Sequence, residues 1–515
     1  MFSTSFTSLD WWIVGVYLVG TALLGVFANR YIHSVSDYMV GGRGSRTALN
    51  TATRISTGLG LVTIMYAAQD GFQNGFSYMT LALIGVVVLA VLGSTGFVIA
   101  KLRQMSLTTI PEYFERRYSK TVRVTAGTIC AAAGILNMGL FPKMGATFIT
   151  YATGLGGEDH VLTVNIVTSL MIAMVLLYTV LGGMVSVIIT DYIQFMILSV
   201  GLGVGLYFCL TGPDLGWHNM VASLTEHRGE GAFNPFQSKA YGWVWVAWMA
   251  IHAVGALICW APEASRALTA LNPKTAKRTF LFSAPGQFVR VGIPALFGIA
   301  AFHYVSTRPE MLAYFFPGGL GGPASHADQA MPLLLGKIVP SGLLGILVAG
   351  LMAAFMSTHD SYFLCWSSVI TRDMIGPLRK KPLSEKAQIR LTRILILLIG
   401  AFLLWWGIWY ELPKSVWEYM AVTGTLYLSG AGAILIGGLY WRRASRTGAM
   451  AALATGLLAV LALDPVRELF PEAWQPCMEG SCVGLVTYVA CAVVFVVVSL
   501  LFPDKPAAAP KPEEA

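Results

Sequence analysis

From residue 11 to residue 502 the chain repeats one pattern, an apolar run of membrane-spanning length followed by a polar or basic connection. At 1.5 Å per residue, about twenty apolar residues cross the hydrocarbon core of a bilayer. The pattern predicts thirteen spans, at roughly 11–28, 48–74, 76–100, 124–155, 161–181, 184–211, 243–261, 280–304, 341–370, 394–410, 415–440, 448–464 and 482–502. The fold class is therefore an all-α polytopic membrane protein.

Several spans are interrupted. Span two contains STGLG at 56–60, Gly182-Gly183 divides spans five and six, Pro142 lies in span four, Pro262 ends span seven and Pro285 lies in span eight. Gly and Pro are common in membrane helices, so each alone carries little. A break at membrane depth frees backbone carbonyls and amides, and these survive only where they line a polar cavity. A broken helix early in one half of a bundle points to the ion and substrate site of a transporter.

Span nine raises a second question, because 351–373 reads LMAAFMSTHDSYFLCWSSVITRD. With Ala354 at zero and about 100° per residue, Ser357, Thr358, Ser361, Cys365 and Ser368 fall within roughly 40° of it. Asp360 lies at the edge of this stripe and His359 points away. Small and hydroxyl residues on one face suit close helix packing. Hydroxyls and carbonyls also suit a hard monovalent cation, and packing does not require a carboxylate such as Asp360.

Composition agrees with the membrane class: the chain is 56% hydrophobic and only 12% charged, where soluble proteins carry about 25% charged residues. The net charge of +8 does not indicate nucleic acid, because it is segregated by side. When connections are assigned alternately to two sides, one side holds 25 Lys and Arg and the other holds 6, with Arg54, Lys143 and Arg290 inside spans. The positive-inside rule places the basic side in the cytoplasm, the N-terminus outside and the C-terminus inside. The first ten residues hold no Lys or Arg and no cleavage site follows, so 11–28 is expected to be a retained span. The tail, DKPAAAPKPEEA, reads as disordered, and no catalytic or signalling module is evident in the chain. Five cysteines fall in spans as packing residues; Cys477 and Cys482 share an outside loop where a disulfide is one option.

Six segments then carry a resemblance: DYMVGGRG (37–44), TTIPEYFERRYSK (108–120), YTVLGGMVSVIITDYIQ (178–194), PEASRALTALNPKTAKR (262–278), VPSGLLGILVAGLMAAFMSTHDS (339–361) and GLYWRRASRTGA (438–449). In this order the chain resembles the sodium–solute symporter family, which includes bacterial proline, sialic acid and pantothenate transporters and animal sodium–glucose transporters. The resemblance implies a LeuT-like five-plus-five inverted repeat. Its parts would be a peripheral first helix (1–29), a first repeat of helices 2–6 (48–211), a second of helices 7–11 (243–440), two peripheral helices (448–502) and a disordered cytoplasmic tail (503–515).

It also implies a sodium site where the broken span meets span nine. Ala354 would supply a carbonyl, Ser357 and Thr358 their hydroxyls, and carbonyls near Ser56 and Leu59 would complete the set. Asp191 matches an acidic residue near the family's sodium pathway, and Arg43 matches a gating arginine. Some members hold a second sodium with serines whose positions here are Asp360 and Ser361, together with the span-six aspartate. A carboxylate therefore stands where a serine is usual. Arg54, buried in span two, is expected to pair with Asp191 or Asp360 as a fixed substitute for a second sodium; substrate binding and plain structural pairing are its other readings.

In span seven, Trp245, Trp248 and His252 share one face and suit contact with a small organic solute, or packing and an interfacial belt. Gln69, Asp70 and Asn74 suit either substrate or an entry vestibule. The family handles sugars, amino acids, monocarboxylates, vitamins and urea, and the sequence does not choose among them. The expected function is sodium-coupled import of a small polar solute by alternating access, in a multi-pass protein of the cell membrane that works as a monomer. No cofactor, nucleic-acid partner or enzymatic activity is expected. Proton coupling through Asp360 or Asp191 and a non-transporting solute sensor are the alternatives.

Overall fold

In the computed structural model of the chain, residues 3–28, 44–155, 160–411, 413 and 415–504 are described. Arg43, most of the DYMVGGRG segment and residues 505–515 lie outside this set. Among the described residues there is no strand, only an isolated bridge between Ser45 and Ala270. Ten segments of them are long and apolar enough to cross a membrane.

The first helix, α1 (Ser8–Ala28), is peripheral in packing: Trp12, Val16, Val19 and Leu23 are exposed. Span two divides into α2 (Thr47–Gly58) and α3 (Leu61–Asn74). The interruption falls within the STGLG segment, where Leu59 (φ −98°, ψ 55°) leaves the helical region and Gly60 is extended. Next come α4 (Thr80–Thr95) and the short interfacial α5 (Ile110–Arg117). Span four likewise divides, into α6 (Lys120–Met138) and α7 (Phe141–Thr153), with Pro142 in the first turn of α7. Proline is tolerated there because the first-turn amides have no intrahelical partner.

Spans five and six differ from expectation. The helix α8 runs from His160 to Thr211 without the break expected at Gly182-Gly183. Two of its stretches, His160–Leu177 and Val187–Thr211, each qualify as a span. Glycine permits a break without imposing one, and the backbone bonds here continue.

Span seven breaks in its turn. α9 (Gly242–Cys259) ends where Trp260 turns extended (φ −65°, ψ 121°), and α10 (Ala261–Thr269) restarts with Pro262 in its first turn. α11 (Pro273–Phe282) and α12 (Ala284–Ser306) follow, with Pro285 again near a helix start. α12 crosses α3 backbone to backbone. A Cβ on Gly298 would stand 1.9 Å from the Ala68 carbonyl oxygen, and one on Gly71 would stand 2.2 Å from that of Ala295. Small residues let two membrane helices approach this closely.

After α13 (Ala327–Ile338) comes α14 (Leu343–Val369), buried along nearly its whole length and thus the central helix of the bundle. Its first turn is held by α1: Asp10 accepts the amides of Gly342 and Gly345, both at 2.7 Å, and the Ser341 hydroxyl at 2.8 Å. α15 (Glu385–Trp409), α16 (Val416–Tyr440), the short α17 (Arg446–Gly456) and α18 (Gly480–Leu501) complete the bundle. Cys477 and Cys482 are separate thiols.

Candidate functional site

The break in span two lies against the polar stripe of α14. Ser56 and Ser357 join hydroxyls at 3.0 Å, and Thr358 donates to the Thr57 carbonyl at 3.3 Å. Gly60 completes the contact, since a Cβ there would stand 2.3 Å from Thr358 Oγ1. Ser56, Leu59, Ala354, Ser357 and Thr358 are all buried. Of the residues expected around sodium, Ser56, Ser357 and Thr358 thus meet in one buried, oxygen-rich contact. Its donors are hydroxyls and break-site carbonyls, the ligand chemistry of a hard monovalent cation. Among the described residues no cluster of His, Cys, Asp and Glu could hold a metal ion by side chains alone.

One turn along α14 lies a charged network. Arg266 of α10 donates through Nη2 to Asp191 Oδ2 (3.0 Å), Ser361 Oγ (2.9 Å) and Thr57 Oγ1 (2.5 Å). Thr57 in turn donates to Asp191 at 3.2 Å. Asp360 is fully buried and near enough to Tyr17 to interact electrostatically. The expected pairing of Arg54 with an aspartate is overturned. Arg54 donates to Glu263 Oε2 at 2.8 Å, its guanidinium 4.7 Å from the centre of the Phe280 ring. The reason is geometric: the break in span seven turns Glu263, in the first turn of α10, towards α2. Arg266, three residues on and on the same face, reaches the aspartate instead.

Beyond the break lies a cavity of 120 Å³, walled by Tyr66, His252, Trp260, Tyr362 and Trp417, with Arg290 and Glu263 on its polar side. A narrow cleft of 20 Å³ continues from it past Glu263 and Arg290 to Thr57, Gly58 and Thr358. The three aromatic-face candidates of span seven separate here. His252 lines this cavity, 3.2 Å from the Tyr488 hydroxyl. Trp245 and Trp248 instead line a wider vestibule of 1030 Å³, together with Gln69, Asp70 and Asn74. Trp248 also packs on Gly484 of α18. His359, off the stripe, hydrogen-bonds the Phe355 carbonyl at 2.8 Å among aromatic rings.

Sequence reasoning missed Glu263, Arg266, Trp260 and the place of Arg290. Two signals were present: a guanidinium inside apolar span eight, and two charges packed into PEASR directly after a break. Intramembrane charge is costly and marks function by default.

Two interrupted helices meeting a buried polar helix, with an ion-type contact beside a cavity, define a secondary transporter. The model of the Sodium:solute symporter family matches residues 38–456, and the chain belongs to that family. Its activity is sodium-coupled symport, with Na+ the coupling ion. Similar proteins include the sodium/sialic acid symporter SiaT of Proteus mirabilis, 24% identical over 466 residues and covering 87% of each chain. The sodium/proline symporter of Haemophilus influenzae is 25% identical over 471 residues, covering 88% of this chain and 87% of that one. In fold, the chain matches a substrate-bound, outward-open structure of a Na+-coupled sialic acid symporter with a TM-score of 0.81 at 19% identity, covering 98% of this chain and 100% of that chain.

Proposed function

We propose that the chain imports a small polar organic solute across the cell membrane, with sodium bound between the break of span two and α14. Ala354, Ser357 and Thr358 act as ligands together with carbonyls near Ser56 and Leu59. Sodium braces α2 and α3 against α14 and so completes the solute cavity beside the break. The bundle then rocks and both solutes leave on the basic side, the cytoplasm. The arrangement read for this is thirteen helices, with the two repeats entered by the broken helices and the N-terminus outside, in a protein functional as a monomer. The carrying observation is the Thr358–Thr57 and Ser357–Ser56 contact at the mouth of the cleft into the cavity. Radioactive sodium binding to purified protein tests it. Ser357→Ala and Thr358→Ala should each weaken binding about tenfold or more, and unchanged affinity in both would sink the site.

A fixed cation beside this site favours one sodium per cycle. The Arg266 guanidinium already sits on Asp191, Ser361 and Thr57, the place suggested for a second ion. The role first considered for Arg54 passes to Arg266. Arg266→Gln should raise the number of sodium ions moved per solute; an unchanged number refutes the substitution.

A further inference from the structure

The charges around the central cavity do not balance. Two guanidiniums share one carboxylate: Arg54 holds Glu263 Oε2 at 2.8 Å, and Arg290 reaches Glu263 Oε1 at 3.4 Å. Arg54 lies behind the wall, with a side chain only 4% exposed, and provides the closer partner for Glu263. Arg290 lies in the wall itself, 26% exposed, and its Nε has no hydrogen-bond partner. Among the residues lining the cavity and its cleft, only Glu263 and Arg290 are charged. The site therefore presents a surplus cation to whatever enters.

We propose that the solute of this chain is a small, non-zwitterionic monocarboxylate, gripped by Arg290 with its body against the rings of Trp260, Trp417 and Tyr66. This rests on the symport reading above and assigns its substrate class. A guanidinium is a planar fork that matches a carboxylate through two parallel hydrogen bonds. The walls suit an apolar body: the Tyr66 and Trp417 rings lie 5.0 Å apart, and the Trp260 indole N–H is committed to Tyr362 at 3.0 Å.

Size and polarity favour this class over the others. A cavity of 120 Å³ suits a solute about the size of benzene, and a sugar is larger. A sugar would also need several free polar partners; the Asn137 amide nitrogen is bound to the Met420 carbonyl and to Thr423, each at 2.9 Å, which leaves its Oδ1 and the Gln287 side chain as the amide groups the wall offers. An amino acid would bring its ammonium group beside two guanidiniums, and the one carboxylate that could offset it, Glu263, is held by both. Coupling to sodium follows from position. A Cβ on Gly58, at the end of α2, would stand 3.3 Å from Glu263 Oε1 and 3.6 Å from Arg290 Nη1. Closure of the break around sodium therefore bears directly on the carboxylate grip.

Thermal unfolding of the purified full chain tests this. The probes are acetate, propionate, lactate, pyruvate and benzoate, each set against its amide, with alanine and proline as zwitterions. Every probe is run in sodium and in choline at constant ionic strength. At least one carboxylate should raise the unfolding temperature in sodium while its amide does not. Arg290→Gln should weaken that carboxylate about a hundredfold, and Arg290→Lys should fall between the two. Stabilisation of Arg290→Gln by sodium alone should persist, which certifies its fold. The proposal is overturned if no carboxylate acts on the wild type, if an amide or an amino acid acts instead, or if Arg290→Gln keeps wild-type affinity. A carboxylate that acts equally in sodium and choline would support the grip and refute the symport reading, so the two fail separately.

Discussion

Gly60 is where the ion site is most sensitive to a single methyl group. In Gly60→Ala the new Cβ would meet Thr358 Oγ1 at 2.3 Å and Thr358 Cβ and Cγ2 at 3.1 Å, where ordinary contact begins at 3.4 Å. The backbone itself accepts alanine, being extended at φ −72° and ψ 157°. Loss of unfolded-state freedom alone would stabilise the variant by about 0.4–1 kcal/mol. Overpacking costs about 1–3 kcal/mol, so the clash wins and the variant loses roughly 1–2 kcal/mol. To relieve it, the break must retreat from α14 by about 1 Å, carrying the Thr57 carbonyl away from Thr358. Sodium affinity should fall about tenfold, or about 1.4 kcal/mol. The assay is unfolding temperature as a function of sodium, with choline holding ionic strength constant. Adding Thr358→Ala removes the clashing oxygen and methyl, so the double variant should regain stability without regaining sodium affinity. A sodium midpoint unchanged in Gly60→Ala, or restored in the double variant, would refute a sodium site at this contact.

The remaining predictions concern what holds the framework. Arg54→Gln should cost about 2–3 kcal/mol in unfolding measurements, less than the usual 3–5 for one half of a buried pair because Arg290 still faces Glu263; it should leave the sodium-to-solute ratio unchanged. Asp10→Ala should cost about 2–3 kcal/mol of thermal stability by releasing the first turn of α14, and Asp10→Asn about half of that, since it keeps an acceptor but loses the charge.

Much of the site was legible because it depends on local pattern. The break at Leu59-Gly60 lies within the STGLG run, and the α14 stripe follows from 100° per residue. The same arithmetic failed for span seven. Trp245 and His252 share a face, but seven residues separate them by about 10 Å along the axis. One therefore lines the vestibule and the other the cavity. Gly182-Gly183 misled because glycine allows an interruption that the backbone need not take.

Sequence alone determined the membrane class, the segregation of charge and the polar stripe of the buried helix α14. Each follows from hydropathy or period, properties of residues close together in the chain. The partners of the buried charges came only with the tertiary structure. Arg54 meets Glu263, and Arg266 meets Thr57, across 209 positions. Those pairings depend on how α10 is rotated after the break at Trp260, and no local pattern encodes a rotation between distant helices. The same rotation gives Glu263 its closer contact with Arg54, at 2.8 Å, and leaves Arg290 of α12 the longer one, at 3.4 Å.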